Sequence, residues 1–230
     1  MIRQWAAARL VLAVLLAGGA MARGQILTDL GATAPVPGAN DQSQLGTNGN
    51  QSGPDGLNYY TDNQSVHNAG EPGQAFTTGT NAAGYVLTSV ALKTGGLGSD
   101  SGIGTAQPYY LHLYFVADGV AVPLQTNTSA NITFTDGDWL QWTGLSVPLA
   151  PNSTYAWSFG KASSTSGYEA LAVASGNLYA GGQIGLFYPG GGPVTYGSSG
   201  AFDAVFDMGL ATNGTTLHAG APVVTPAGTN

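Results

Sequence analysis

Few side chains in this chain of 230 residues could take part in a reaction. It contains no cysteine, and Glu71 and Glu169 are its only glutamates. A glycosidase needs two carboxyl groups that flank the bond it cleaves, so Glu169 could act with Asp203 or Asp207 only if the fold brings them together. The three histidines lack the spacing of metal ligands, and neither a G-x-S-x-G elbow nor a phosphate-binding loop occurs. We therefore expect a protein that is not an enzyme, with a polysaccharide hydrolase or lyase as the lesser alternative.

The charge of the chain limits the classes of ligand that it can bind. Five basic residues stand against twelve acidic ones, which gives a formal net charge of −7 at pH 7. Phosphate backbones and uronate polymers both need basic side chains to neutralise them. Lys93 and Lys161 are the only basic residues after Arg23. We therefore expect no nucleic-acid partner and predict a neutral glycan or a cell-surface polymer as the ligand.

Aromatic side chains outside the expected core are the candidates for binding such a ligand. Rings stack on the apolar faces of sugars, while amide and carboxylate groups bind the hydroxyls. We predict that Tyr110 and Tyr114 lie on the outward face of one strand, with Trp139 and Trp142 on opposite sides of another. The predicted ligand-binding residues are Tyr110, His112, Tyr114, Trp139, Tyr168 and Tyr179. The alternative is that many of these rings fill the inner faces of a two-sheet sandwich, and that His112 is a polar surface residue.

The segment Asp136-Gly137-Asp138-Trp139 is a short acidic loop whose oxygen atoms suit Ca²⁺. Asp136 and Asp138 are the candidate metal ligands. The alternative is an Asp-Gly turn between two strands, of the kind that Asp118-Gly119 also predicts. No cofactor other than a structural Ca²⁺ is expected.

The elements that position these residues are predicted to be short β-strands. Apolar and polar residues alternate with a period of two in several segments, which clusters of Gly, Pro, Asn and Asp interrupt. We expect Val86, Val90 and Leu92 to face the core, and likewise Trp157 in a later segment. Asp203 and Asp207 are expected outside. About nine strands are predicted, over residues 74–78, 85–93, 109–116, 131–135, 140–142, 154–161, 169–173, 183–187 and 201–210.

This pattern predicts an all-β fold, a single β-sandwich of jelly-roll type with antiparallel strands. We place the sandwich domain at residues 58–211 and a C-terminal tail or linker at residues 212–230. Residues from about 32 to 73 are dense in Gly, Asn, Gln, Asp, Ser and Pro and lack the apolar residues that would offset the entropy of ordering. We therefore predict a flexible or extended leader over residues 23–57.

Residues 1–22 have the pattern of a secretory signal peptide. Arg3 and Arg9 precede and flank a short apolar run, and Ala20-Met21-Ala22 fits a cleavage site. The run is too short for a permanent membrane anchor, and no apolar stretch of spanning length follows. We predict a secreted or extracellular protein with no membrane span in the mature chain. Secretion without cysteine is more typical of a bacterial source.

Three segments resemble an extracellular β-sandwich module found in secreted and surface-anchored bacterial proteins. They are GQAFTTG at residues 73–79, residues 84–93, and WTGLSVPLAPNSTYAW at residues 142–157. The resemblance covers roughly residues 59–210 and implies a jelly-roll-like fold, often beside carbohydrate-active or adhesion domains. Its motifs describe strands and turns, with Pro151-Asn152 as one such turn, and it assigns no catalytic residue.

Together these features predict a secreted, non-catalytic module that binds carbohydrate or a cell surface. The alternative is a structural extracellular subunit of a matrix, sheath or filament. Only 7% of the residues are charged and 36 are glycine, a composition that suits side-by-side assembly of β edges. Self-association is therefore also predicted as a partner relationship.

Overall fold

The computed structural model describes residues 25–46, 70–95, 106–161, 171–176, 178–196 and 202–213. These residues form strands, turns and loops and no helix, so the all-β prediction is confirmed. Within this part of the chain, no helix could therefore cross a membrane. The strands are β1 (Ile26–Asp29), β2 (Gln42–Gln44), β3 (Glu71–Thr77), β4 (Tyr85–Lys93), β5 (Tyr109–Ala117), β6 (Val120–Thr128), β7 (Trp139–Thr143), β8 (Val147–Leu149), β9 (Thr154–Lys161), β10 (Val173–Ser175), β11 (Ile184–Phe187), β12 (Gly192–Pro193), β13 (Thr195–Tyr196), β14 (Phe202–Ala204) and β15 (Phe206–Thr212).

Most strands belong to two antiparallel sheets. One has six strands in the order β1-β7-β4-β15-β2, with β8 paired to β4, and the other has seven in the order β12-β6-β5-β9-β3-β11-β13. β10 and β14 form a separate pair. The main apolar core lies between the two large sheets, where the rings of Trp157 and Phe206 meet edge to face with centroids 6.0 Å apart. Trp157 is fully buried there, as predicted.

The first two strands come from the segment predicted to be a flexible or extended leader. We call residues 25–46 the N-terminal arm. Its strand β1 pairs with β7 at one edge of the six-stranded sheet, and its strand β2 pairs with β15 at the other edge. Leu30 and Leu45 of the arm pack on the outer face of that sheet, against a cluster that contains Trp139. The arm is therefore part of the fold, although no hydrophobic alternation in its sequence predicts the two strands.

A β-bulge in β4 decides which of its side chains face the core. The pairing of β4 with β15 skips Thr88, which is the extra residue of the bulge. An extra residue reverses the inward and outward alternation on its far side. Val90 and Leu92 are buried, as predicted, whereas Leu87 faces the core in the place expected for Val86.

The seven-stranded sheet curls. β12 pairs with β6 at one edge and β13 pairs with β11 at the other, although only Val194 separates β12 from β13 along the chain. So short a segment can reach both edges only if they lie close together. The rings of Tyr114 on β5 and Phe187 on β11 stack with centroids 5.6 Å apart, across β9 and β3. The face that carries these rings, which points away from the six-stranded sheet, is therefore concave, and we call it the concave face.

Both turns predicted between neighbouring strands are confirmed. Asp118 and Gly119 join β5 to β6 with φ values of 52° and 74°, and two positive φ values are what a type I′ hairpin turn requires. Pro151 and Asn152 form the turn that precedes β9. The strand β6 was not predicted, because it contains Pro123 and most of its side chains are exposed.

Two other predicted strands differ from the structure. Residues 131–135 hold no named strand, and Ile132 makes only an isolated bridge with Gln107. Of residues 169–173, the described part starts at Leu171, and β10 begins at Val173.

Asp203 and Asp207 were predicted to lie outside, and both are buried, with 0% and 3% of their surface exposed. Asp203 is covered because its carboxylate binds Gln74 and the segment around Tyr179. Asp207 lies opposite Ser43 of the arm, which pairs with β15 at this point. Alternation correctly turns both carboxylates away from the main core, but other segments cover the face on which they lie.

Candidate functional site

The structure brings together only part of the predicted ligand-binding set. Tyr110, His112 and Tyr114 lie on the concave face of β5, opposite the core residues of the same strand. Trp139 lies on β7 in the other large sheet, and Tyr179 lies on the loop before β11.

The ring of Trp139, predicted to be exposed, is buried with 1% of its surface exposed. Trp142 lies on the opposite side of β7, as predicted, and this side faces the main core. The side that carries Trp139 is covered by Leu30 and Leu45 of the arm. The backbone of the arm is held there as well, since the Trp139 N–H donates to the Gly31 carbonyl at 2.7 Å. Trp139 therefore stabilises the docking of the arm and offers no ring to a ligand.

Tyr114 was also predicted to be exposed and is fully buried. Its side chain points away from the main core, as the alternation requires. The curl of the sheet nevertheless brings Phe187 over it, and Ala156 on the neighbouring strand packs against it.

A buried polar network spans β3, β9, β5 and β6 on the concave face. Ser158 Oγ donates a 2.6 Å hydrogen bond to Glu71 Oε2, and Glu71 Oε1 lies 3.3 Å from His112 Nε2. His112 Nδ1 and Thr126 Oγ1 lie 2.8 Å apart. The hydroxyl oxygens of Tyr114 and Ser158 lie 3.1 Å apart. Because Ser158 gives its only hydroxyl proton to the carboxylate, Tyr114 must be the donor to Ser158. We call these five residues the Glu71 network.

The network is shielded but still reaches the surface at one side. Glu71 and His112 are each 7% exposed, whereas Ser158 is fully buried. The ring of Tyr110 is half-buried and its centroid lies 5.2 Å from that of His112. His112 Nε2 is buried and makes no hydrogen bond with any described residue, and Oε1 of Glu71 lies 3.3 Å from it. A buried contact between a histidine and a carboxyl group therefore lies beside a partly exposed aromatic ring.

Small residues at the centre of the concave face leave room for the network. A Cβ atom at position 160 would overlap Oε1 of Glu71, and one at position 73 would overlap the carbonyl oxygen of Trp157. Gly160 therefore lets the Glu71 side chain lie across β9 and reach His112 on β5, whereas Gly73 lets the backbones of β3 and β9 approach closely.

Burial sets the protonation state of the tyrosine in the network. Desolvation raises the pKa of Tyr114, the hydrogen bond with Ser158 acts in the opposite direction, and the Glu71 carboxylate raises it further. Tyr114 is therefore a neutral phenol at physiological pH, which is the form that can donate to Ser158.

Glu71 is a site residue that the sequence analysis did not predict. The strand was predicted to begin at residue 74, which left Glu71 in a loop, whereas β3 begins at Glu71 itself. One feature of the sequence does point to Glu71. The chain has only two glutamates, and this one directly precedes a segment in which apolar and polar residues alternate.

A second polar cluster surrounds Asp203. Its carboxylate accepts hydrogen bonds from the Tyr179 backbone N–H at 2.8 Å and from the Gln74 side-chain amide at 3.2 Å. Burial raises the pKa of Asp203, and these hydrogen bonds act in the opposite direction. The Tyr179 hydroxyl donates to Gln42 of the arm. The contacts of Tyr179 thus join separate segments of the fold, and ligand binding by its ring stays a prediction.

The acidic loop at residues 136–138 forms a turn. Asp138 Oδ2 accepts a hydrogen bond from the Thr135 N–H at 2.7 Å, and the Gly137 N–H donates to Thr94 Oγ1 at 3.0 Å. Among the described residues, no three His, Asp or Glu side chains are arranged to hold a metal ion. The turn accounts for the bonds of Asp138, and Ca²⁺ binding by Asp136 and Asp138 stays a prediction.

The Ser158 hydroxyl of the Glu71 network is shielded from solvent. Ser158 donates to Glu71 rather than to His112, and its hydroxyl is fully buried. Asp203 binds Gln74, which alternates with Glu71 and so lies on the other face of β3. Tyr168 and Glu169 lie outside the described residues, so the predicted carboxylate pairs that include Glu169 stay predictions.

Comparison with protein-family models, curated proteins and solved structures finds no match to this chain. The resemblance to extracellular bacterial modules therefore stays a prediction.

Proposed function

We propose that this protein is a secreted, extracellular and non-catalytic module that binds a neutral glycan or a cell-surface polymer. We also propose that its two large sheets form a sandwich of jelly-roll type. The proposed binding surface is the rim of the concave face at Tyr110, His112, Glu71 and Thr126. The observation that carries this proposal is the half-buried Tyr110 ring, 5.2 Å from the ring of His112, whose Nε2 lies 3.3 Å from Glu71 Oε1.

These groups match the chemistry of a sugar. A pyranose ring has an apolar face that packs on an aromatic ring, and its hydroxyls need donors and acceptors at fixed positions. The Tyr110 ring supplies the apolar surface. The side chains of Glu71 and His112, each 7% exposed, supply polar groups, with Nε2 of His112 3.3 Å from Oε1 of Glu71. Both side chains are held in place by Ser158 and Thr126, so little side-chain entropy is lost on binding.

The test is the affinity of Tyr110→Ala for the best neutral ligand from a glycan array, measured by calorimetry. We expect a loss of roughly tenfold, about 1.4 kcal/mol, with an unchanged cooperative melt. Tyr110→Phe retains the ring and should bind within about twofold of the unaltered protein, since only the phenol oxygen is removed.

Phe115→Ala is the matched control, because Phe115 lies on the same strand but packs on the main core at the opposite face. It should lower stability and leave the affinity unchanged. Equal affinity for Tyr110→Ala and the unaltered protein would contradict the proposal. Loss of the cooperative melt in Tyr110→Ala would show instead that the ring belongs to the core.

A structural extracellular subunit is the second candidate function. The observation that favours it is the position of the N-terminal arm, which supplies the strands at both edges of the six-stranded sheet. Edges that depend on a terminal segment of the same chain can be completed by a neighbouring copy.

A further inference from the structure

We propose that the N-terminal arm exchanges between copies of this chain, so that the arm of one copy pairs with the six-stranded sheet of another. The partner is a second copy of the same chain. The proposal is independent of glycan binding, because the arm lies on the six-stranded sheet and the Glu71 network lies on the seven-stranded sheet.

The surface under the arm needs a cover. Without the arm, β7 and β15 become edge strands with unpaired backbone groups. The ring of Trp139 and the carboxyl group of Asp207, now 1% and 3% exposed, would lose their neighbours from the arm. A molecule whose arm is displaced therefore has a specific, partly apolar acceptor surface for another arm.

The arm has no fully buried residue, which lowers the cost of releasing it. None of its residues is buried, and Val36 is 92% exposed. Segments with few buried contacts open at a low cost in free energy. The described hydrogen bonds that hold the arm include Leu30 N–H to the Trp139 carbonyl at 2.8 Å and Leu210 N–H to Asp41 at 3.1 Å. A second copy would supply the same partners.

The tether is long enough for exchange. Residues 47–69 connect the arm to β3, and a chain of roughly 23 residues can reach at most about 75 Å. Tethering through about 23 residues gives the chain's own arm a local concentration on the order of millimolar. Exchange should therefore be rare in dilute solution and should become appreciable at millimolar protein, as in a surface layer or an extracellular matrix.

The cysteine-free chain allows a direct test with two single-cysteine variants, Thr28→Cys and Gln141→Cys. Thr28 lies opposite Gln141 in the β1–β7 pairing, at a separation that a disulfide can bridge. The two variants are unfolded together, refolded at millimolar total concentration and oxidised. A disulfide between Thr28→Cys of one copy and Gln141→Cys of another is expected, because exchange places the two positions side by side.

The matched control is the pair Ala117→Cys and Val120→Cys, which lie opposite each other at the β5–β6 hairpin turn. Both positions are exposed, and two-residue hairpins do not exchange, so this pair reports random collision. We expect at least tenfold more disulfide-linked dimer from the arm pair than from the control pair. Equal yields would overturn the proposal. Failure of a Thr28→Cys/Gln141→Cys double variant to form an internal disulfide in dilute solution would also overturn it, because β1 would then not lie on β7.

Discussion

At position 160 a glycine is required by a side chain from another strand. A Cβ there would overlap the Glu71 carboxylate that Ser158 holds at 2.6 Å. We expect Gly160→Ala to lower the free energy of unfolding by about 1–3 kcal/mol, because the buried hydroxyl and carboxyl groups lose their hydrogen bond. In a Glu71→Ala background the same substitution should cost much less, since the clash is gone.

Urea denaturation of the two single variants and the double variant measures this coupling. Gly190→Ala is the control, because no atom lies within 4 Å of a Cβ at that position. It should change stability by less than about 0.5 kcal/mol. Strictly additive losses for Gly160→Ala and Glu71→Ala would show that the two residues do not contact each other in solution.

Two substitutions of the core residue Trp157 can be compared in the same way. Its ring is fully buried in the main core, yet its indole N–H finds no acceptor among the described residues. Trp157→Ala should cost about 3–5 kcal/mol, as loss of a large core ring does. Trp157→Phe should cost clearly less, because it keeps an aromatic ring and removes an unsatisfied donor. Equal losses in guanidinium denaturation would mean that the indole N–H has a partner after all.

At the scale of elements, and apart from the bulge in β4, the sequence predicts correctly which face of a strand a side chain lies on. It does not predict whether other segments cover that face. Alternation places Tyr114 and Trp139 away from the main core, and this is correct. Their burial depends on the curl that brings Phe187 to Tyr114 and on the arm that brings Leu30 to Trp139. Both covers are distant in sequence, so a period-two pattern carries no information about them. The bulge at Thr88 is hidden in the same way, because it is defined by the pairing partner.

The docking of the arm on β15 should depend on pH. Burial and, to a lesser extent, the Asp41 carboxylate of the arm raise the pKa of Asp207 to about 6, from about 3.9 in an unfolded chain. The folded state thus favours the neutral acid. This stabilisation is complete below pH ~4 and is lost as the pH rises through about 6, amounting to roughly 2–3 kcal/mol.

Asp207→Asn stays neutral and should flatten this part of the pH profile, measured by urea denaturation between pH 4 and pH 7. Asp203 shifts in the same direction, so some slope should remain. Asp118→Asn is the control, because Asp118 is an exposed hairpin residue with a φ of 52° that asparagine tolerates. An Asp207→Asn profile that matches the unaltered protein would show that Asp207 does not titrate in this range.

At the scale of the whole molecule, the two proposals use separate surfaces. The Glu71 network lies on the concave face of the curled sheet, whereas the arm completes the six-stranded sheet on the other side of the main core. The alternation of β5 predicts that Tyr110 and His112 lie on one face of the strand, and their rings lie 5.2 Å apart. Glu71 could not be identified as their neighbour, because the contact crosses β9 and depends on Gly160. Tyr110→Ala should therefore weaken glycan binding without changing the yield of exchanged arms.

Deletion of residues 25–46 tests what the arm contributes to the whole molecule. Trp139 would lose Leu30 and Leu45, and two sheet edges would open. We expect a red-shifted tryptophan emission, stronger quenching by acrylamide, and a loss of at least about 2–3 kcal/mol, the value of one fully buried large side chain. Open edges should also produce higher oligomers in light scattering.

Val36→Ala is the control for this deletion, and because the position is 92% exposed it should change neither the emission, the stability nor the oligomeric state. Adding the arm back as a peptide should restore the blue-shifted emission. A sheet that accepts the arm from a peptide can also accept the arm of a neighbouring copy. An unchanged emission after the deletion would mean that the arm does not cover Trp139, and the basis for exchange would be lost.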